Sequence, residues 1–243
     1  MCKVIEGGSI GRRSVLKFGA VGLATTGLAA FGLGLGPRVA HAAAGPEKTP
    51  DEALAKLRAG NARYVRDPKH CAIELDAQRG AVAASQAPWA TIIGCADSRV
   101  PPELIFGALG VGELFIARNA GNLADTATIG TVEYGSAVLG APLIVVLAHT
   151  RCGAVSAACD VVTKNATYPG AIGPMIEPIV PAAVATRSEP GDFVTNAAKE
   201  SARRTAGRLA ASSSLLADRV GAGKLKIVAA IYDLDTGVVH FLD

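Results

Sequence analysis

The sequence predicts an α/β domain with a central, mainly parallel β-sheet flanked by helices. Three observations lead there. WATIIG (89–94) and PLIVVLA (142–148) are short, continuous apolar runs without alternation, the pattern of strands buried on both faces. The segments between the apolar runs carry helical spacing, as crossovers between parallel strands require. Only the C-terminal KLKIVAAIYDLDTGVVHFL reads as a hairpin, with its turn at Asp235–Gly237. With 243 residues, half of them hydrophobic and 19% charged, the chain has room for one domain with a sizeable core.

The elements follow in order. GRRSVLK (11–17) precedes an uncharged Gly- and Ala-rich apolar run and the small residues Ala40-His41-Ala42. Charged start, apolar middle and A-x-A end make residues 1–42 a secretory signal, cleaved after Ala42 or Ala44. RRSVLK resembles the twin-arginine signal, with Gly11 where Ser or Thr is usual, so the protein is expected to be exported to the periplasm or another extracytoplasmic space. The competing reading is an uncleaved anchor, since the run is about long enough to span a bilayer; membrane contact is expected only through this segment. Residues 43–49 form a short linker, and 50–243 the functional domain. Of the 24 basic and 21 acidic residues, five basic and one acidic lie in 1–42, leaving 19 and 20. A body without basic excess is not expected to bind nucleic acid.

TPDEALAKLRAGNARYV opens a helix: Thr49 caps, Pro50 suits the first turn and Glu52 completes a T-x-x-E box. A weaker helix covers about 74–84. The strand WATIIG follows, then the strand ELFIARN (113–119), a helix over TATIGTVEYGSAVLG (126–140) and the strand PLIVVLA. After residue 152 come an apolar helix, the Pro-rich connector YPGAIGPMIEPIVPAA and one long helix over roughly 190–219, before the hairpin.

Two of these strands end in unusual chemistry. WATIIG delivers Cys95, Asp97 and Arg99, and PLIVVLA delivers His149, Cys152 and Gly153. In an open parallel sheet, sites form beyond the carboxyl ends of strands, so the two groups can converge. Two thiols and an imidazole favour zinc, and three protein ligands leave a fourth tetrahedral position for water, as catalytic sites do. There is no C-x-x-C pair, which removes zinc-ribbon and thioredoxin-like readings. Asp97 is suited to accept a hydrogen bond from a zinc-bound hydroxide, and Arg99 to hold Asp97 ionised and away from the metal.

Cys95-Asp97-Arg99 and His149-Cys152 resemble the paired C-x-D-x-R and H-x-x-C motifs of the β-class carbonic anhydrases. ALAKLRAGNARYV, QAPWATIIGCADSRVPPELIF, GVGELFIARNAGN, ATIGTVEYGSAVLG, HTRCGAV and IVAAIYDLDTG resemble the family's blocks in the family's order, over about residues 50–243. The resemblance implies the β-carbonic anhydrase fold and the reversible hydration of carbon dioxide to bicarbonate and a proton. It implies one zinc ion per subunit on Cys95, His149 and Cys152, with Asp97 and Arg99 as catalytic residues. It implies substrate contact by Gln86, a close passage of the chain past the metal at Gly153, and an apolar wall drawn from Val100, Phe106, Leu123 and Tyr134, partly from a second subunit. A homodimer, or a larger assembly of dimers, is implied too.

The sequence also departs from the family. The regulated branch has a tryptophan three residues before the first zinc cysteine, within a non-catalytic bicarbonate pocket; here that residue is Ile92, although Arg118 and Tyr134 match other pocket positions. Ala154 replaces a second glycine after H-x-x-C-G. Of the histidines outside the signal and the metal set, only His70 and His240 remain as proton carriers, and buffer is the alternative. Cys71 and Cys159 are leftover thiols, paired as a disulfide or each buried. Two other functions stay open at this level: a carbon disulfide or carbonyl sulfide hydrolase on the same scaffold, and a non-catalytic zinc or redox protein.

Overall fold

The computed structural model describes residues 48–67, 75–107 and 109–242. The expected signal, most of the linker, His70 and Cys71 with its disulfide lie outside these residues. Helix α1 (Pro50–Arg66) starts as the sequence requires: the Thr49 hydroxyl accepts from the Glu52 N–H, and the Glu52 carboxylate accepts from the Thr49 N–H at 2.8 Å. Helix α2 (Leu75–Val82) precedes strand β1 (Ala90–Cys95), every residue of which is buried.

Five strands form one sheet in the order β2-β1-β3-β4-β5, with β2 spanning Leu114–Asn119, β3 Leu143–His149, β4 Lys226–Tyr232 and β5 Val239–Leu242. The first four are parallel and β5 pairs antiparallel with β4, so the mainly parallel sheet and the closing hairpin are both present. Alternate residues of β1 enter two separate cores. Ile93 and Cys95 pack with Val146, Ala148 and Ala198, while Ala90 and Ile92 pack with Leu57, Val145 and Phe106.

On the first face lies helix α8 (Phe193–Ser212), whose buried stripe of Ala197, Ala198, Ser201, Ala202, Thr205 and Leu209 is mostly small and packs close to β3 and β4. On the other face α1 packs against the short helix α3 (Pro102–Ile105), where a Cβ on Gly60 would collide with the carbonyl oxygen of Phe106. Asn61, 5% exposed, donates to the carbonyls of Ile105 (3.1 Å) and Gly237 (2.8 Å) and accepts from the Val239 N–H (2.8 Å). One buried amide thus ties α1 to α3 and to the β4–β5 turn.

The structure corrects four sequence-based expectations. The helix over 126–140 is α4 (Thr126–Glu133) continued by a π-helical turn, Tyr134–Val138. The Pro-rich connector is itself largely helical: after α5 (Gly153–Lys164) come α6 (Ile172–Ile176), a 3₁₀ turn at Glu177–Ile179 and α7 (Val180–Thr186). Pro174, Pro178 and Pro181 fall in first turns, where a missing N–H costs no helical bond. The long helix splits at Ser213 into α8 and α9 (Ser214–Gly221), because extended Ser213 (φ −136°) caps α9 by accepting from the Leu216 N–H. Helix α3 was not expected from VPPELIF. Among the described residues no helix is long and apolar enough to cross a membrane.

Candidate metal centre

The carboxyl ends of β1 and β3 place two buried thiols and a buried imidazole together. The ligand atoms of Cys95, His149 and Cys152 all lie within 4.8 Å of one another. The sulfurs are 3.9 Å apart and His149 is 0% exposed. The His149 Nδ1 faces the Thr150 carbonyl oxygen at 2.9 Å. A carbonyl only accepts, so Nδ1 carries the proton and the Nε2 lone pair is free. Nε2 is buried and has no hydrogen-bond partner among the described residues. An orphaned, correctly tautomerised imidazole nitrogen beside two thiols fits a thiophilic divalent cation, with zinc the usual occupant of such a set.

The electrostatics agree. Hydrogen bonding from Cys152 pulls the Cys95 thiol well below the ordinary thiol range, and the Gly121 N–H at 3.4 Å adds to the effect. The thiol of Cys152 is pushed up, first by Cys95 and then by burial. A bound cation would balance the charge of ionising both thiols.

Asp97 stands beside this cluster. Its Oδ2 lies 3.8 Å from His149 Nε2. Arg99 grips both carboxylate oxygens, Nε donating to Oδ1 at 2.9 Å and Nη2 to Oδ2 at 2.7 Å, and its own N–H also donates to Oδ1. The Arg99 guanidinium holds the Asp97 carboxyl well below the usual carboxylate range.

The chain belongs to the carbonic anhydrase family. The family's sequence profile matches residues 90–239, which include all of these groups. Carbonic anhydrase 2 of Mycobacterium tuberculosis is 38% identical over 193 residues, covering 79% of this chain and 92% of the relative. The carbonic anhydrase of Mycolicibacterium smegmatis is 33% identical, covering 80% and 94%. The fold is that of the β class. A β-carbonic anhydrase of Aspergillus fumigatus superposes with a TM-score of 0.62 at 24% identity, over 79% of this chain and 90% of that one. One from Coccomyxa, crystallised with acetazolamide, gives 0.59 at 25% identity over 73% and 82%.

In this carbonic anhydrase the ligand loop after β3 is held by contacts that the motifs do not announce. The Thr150 N–H donates to the Tyr232 carbonyl, and the Thr150 hydroxyl accepts from the Leu234 N–H at 3.0 Å. Arg151, in the left-handed region at φ 55°, donates twice to Asp235 at 2.6 and 2.9 Å. Its carbonyl accepts a longer bond from Arg99 at 3.4 Å. The β4–β5 turn thus braces the loop that carries Cys152, one of the candidate ligands, through partners 84 residues away in sequence.

The expected substrate wall fares differently. Val100 and Phe106 are fully buried in the core that contains α1, whereas Cys95 and Cys152 belong to the other core, so neither forms an accessible wall. Only Pro101 separates Val100 from α3, and the Val100 N–H donates to the Asp97 carbonyl at 3.0 Å. A Cβ at Gly153 would meet no protein atom within 4 Å. Gly153 opens α5 directly after Cys152. Leu123 packs against the core with the two cysteines and lines a groove of about 530 Å³ with Ala120, Pro178 and Arg204. Tyr134 is exposed and lies 6.0 Å from the Phe115 ring, centroid to centroid. Gln86 is exposed ahead of β1, and His240 is exposed on β5. Cys159 is a buried core thiol whose burial raises its pKa to about 11.

Proposed function

We propose that this protein catalyses the reversible hydration of carbon dioxide to bicarbonate and a proton, with one zinc ion held by Cys95, His149 and Cys152. The observation that carries the reading is the buried thiol–imidazole–thiol cluster with an Arg-clamped carboxylate 3.8 Å from the free imidazole nitrogen. When bound, zinc supplies a Lewis acid that yields a strong water-derived nucleophile near neutral pH, a property established for the histidine-only carbonic anhydrase centre. The chain's own groups do the rest. Thr150 fixes the His149 tautomer, so Nε2 presents a lone pair. Asp97, kept ionised by Arg99, only accepts hydrogen bonds. The species it orients must therefore carry a hydrogen, which fixes the hydroxyl of the attacking oxygen and turns a lone pair toward the substrate carbon. Arg99 also engages both Asp97 carboxylate oxygens, including the one nearer His149, so that the carboxylate does not take the nucleophile's place.

Gln86 and Tyr134 serve substrate contact in this proposal, Tyr134 from a second subunit, since both are exposed in the single chain. The assembly is a homodimer or a multiple of one; β-carbonic anhydrases of Sordaria macrospora are tetrameric. Light scattering that gives a monomer mass would refute this. Residues 1–42 act as a twin-arginine export signal, and replacing Arg12 and Arg13 by Lys should leave the protein in the cytoplasm. The decisive experiment for the activity is stopped-flow carbon dioxide hydration by zinc-loaded protein. A rate that stays at the buffer level overturns the reading.

A further inference from the structure

We propose that Arg118 is the positioning residue for the loop that carries Cys95 and Asp97, an inference that rests on the carbonic anhydrase reading. Arg118 sits on edge strand β2, in register with Gly94. Its Nε donates to the Cys95 carbonyl at 2.8 Å and its Nη2 to the Asp97 carbonyl at 2.6 Å. Between them, the Ala96 N–H donates to the Asn119 carbonyl at 2.9 Å. Three consecutive residues of the site loop are therefore fastened to β2, two of them by one side chain. Among the described residues no carboxylate lies within ion-pair distance of Arg118, so its charge is spent on these two carbonyls.

The dyad cannot do this work. Arg99 and Asp97 are two residues apart on the same loop; their bonds fix one relative to the other, and the dyad's side-chain contact beyond the loop is a long 3.4 Å bond from Arg99 to the Arg151 carbonyl. What sets Asp97 against His149 is a tie between the loop and the sheet. Arg118 supplies it in the planar two-donor geometry that a guanidinium has and an ammonium lacks.

The test compares full-length, zinc-loaded wild type with Arg118→Gln and Arg118→Lys. Two quantities are read: zinc release to a chromogenic chelator, and kcat and KM for carbon dioxide hydration. The Gln variant should release zinc about 10- to 100-fold faster and lose kcat by a similar factor with KM unchanged. The Lys variant, reaching one carbonyl, should fall between. A Gln variant with wild-type zinc release and kcat overturns the proposal, and so does one that loses only thermal stability. If the Gln variant does not fold, wild-type values for both quantities in the Lys variant overturn it. Wild-type protein without hydration activity refutes the functional reading alone, because the zinc-release comparison needs no turnover.

Discussion

Asp97 Oδ2 stands 3.8 Å from His149 Nε2 while accepting a 2.7 Å hydrogen bond from Arg99. The carboxylate is close enough to the candidate ligands to orient what binds there, and both of its oxygens are already engaged by Arg99. A side chain that faces the site yet is tied back is suited to hydrogen bonding a reactant rather than to ligating a cation.

Replacing Asp97 with Asn separates these roles. The amide keeps the shape but can present its NH₂ where an acceptor is needed, and it loses the charge that Arg99 grips. Asp97→Asn should retain a full zinc equivalent by elemental analysis and lose about 10- to 100-fold in kcat. Unchanged turnover would show that Asp97 does not orient the nucleophile.

Cys152 is 1% exposed and stands at the N-cap position of α5, without a side-chain capping bond, as well as offering a ligand sulfur. Cys152→Ser swaps a soft thiolate for a hydroxyl that ionises far less readily. The variant should keep its far-ultraviolet circular dichroism and lose most of its zinc. A full equivalent of metal retained after dialysis would remove Cys152 from the ligand set.

The brace under the ligand loop makes a separate prediction. Thr150→Val keeps the volume of Thr150 and removes the acceptor of the Leu234 N–H. The loss should be about 1 kcal/mol in denaturant unfolding, with faster zinc release. Asp235→Ala breaks only an exposed ion pair and should cost less than Thr150→Val. Equal zinc release in wild type and Thr150→Val would show that the β4–β5 turn does not support the site.

Acid sensitivity can be read at a helix cap far from the ligands in sequence. Asp125 caps α4 by accepting from the Thr128 N–H at 2.7 Å, and that backbone bond is the leading cause of its lowered carboxyl pKa. The folded value lies below the unfolded 3.8, so the cap's contribution is complete above about pH 4 and fades as pH falls through the folded value. Asp125→Ala should lower the denaturation midpoint at pH 7 and narrow the gap to wild type at pH 3. A gap of constant size across that range would argue against the linkage.

Much of this was legible in the chain because it is local. C-x-D-x-R and H-x-x-C stand at strand ends, and a parallel sheet brings such ends together whatever the loops do. The T-x-x-E box at Thr49 and the hairpin turn near Gly237 need only neighbours to form. Expectations failed where local signals are ambiguous. Proline was read as connector at Pro174, Pro178 and Pro181, although it is compatible with first helical turns. Ser213 breaks a helix without glycine or proline nearby. Val100 was placed in the substrate wall by the family resemblance, and it lies buried in the other core.

By itself the sequence determined the candidate ligand types, the candidate dyad and the order of the strands, since residue chemistry and hydrophobic period specify these without reference to the rest of the chain. Only the tertiary structure decided how tightly the site is held. Arg118 on the loop carbonyls, Thr150 and Arg151 against the β4–β5 turn, and Asn61 between α1 and that turn are all contacts across 21 to 178 residues. No periodicity encodes such contacts, because they come from side chains meeting carbonyls and amides that the folding of the sheet alone brings within reach.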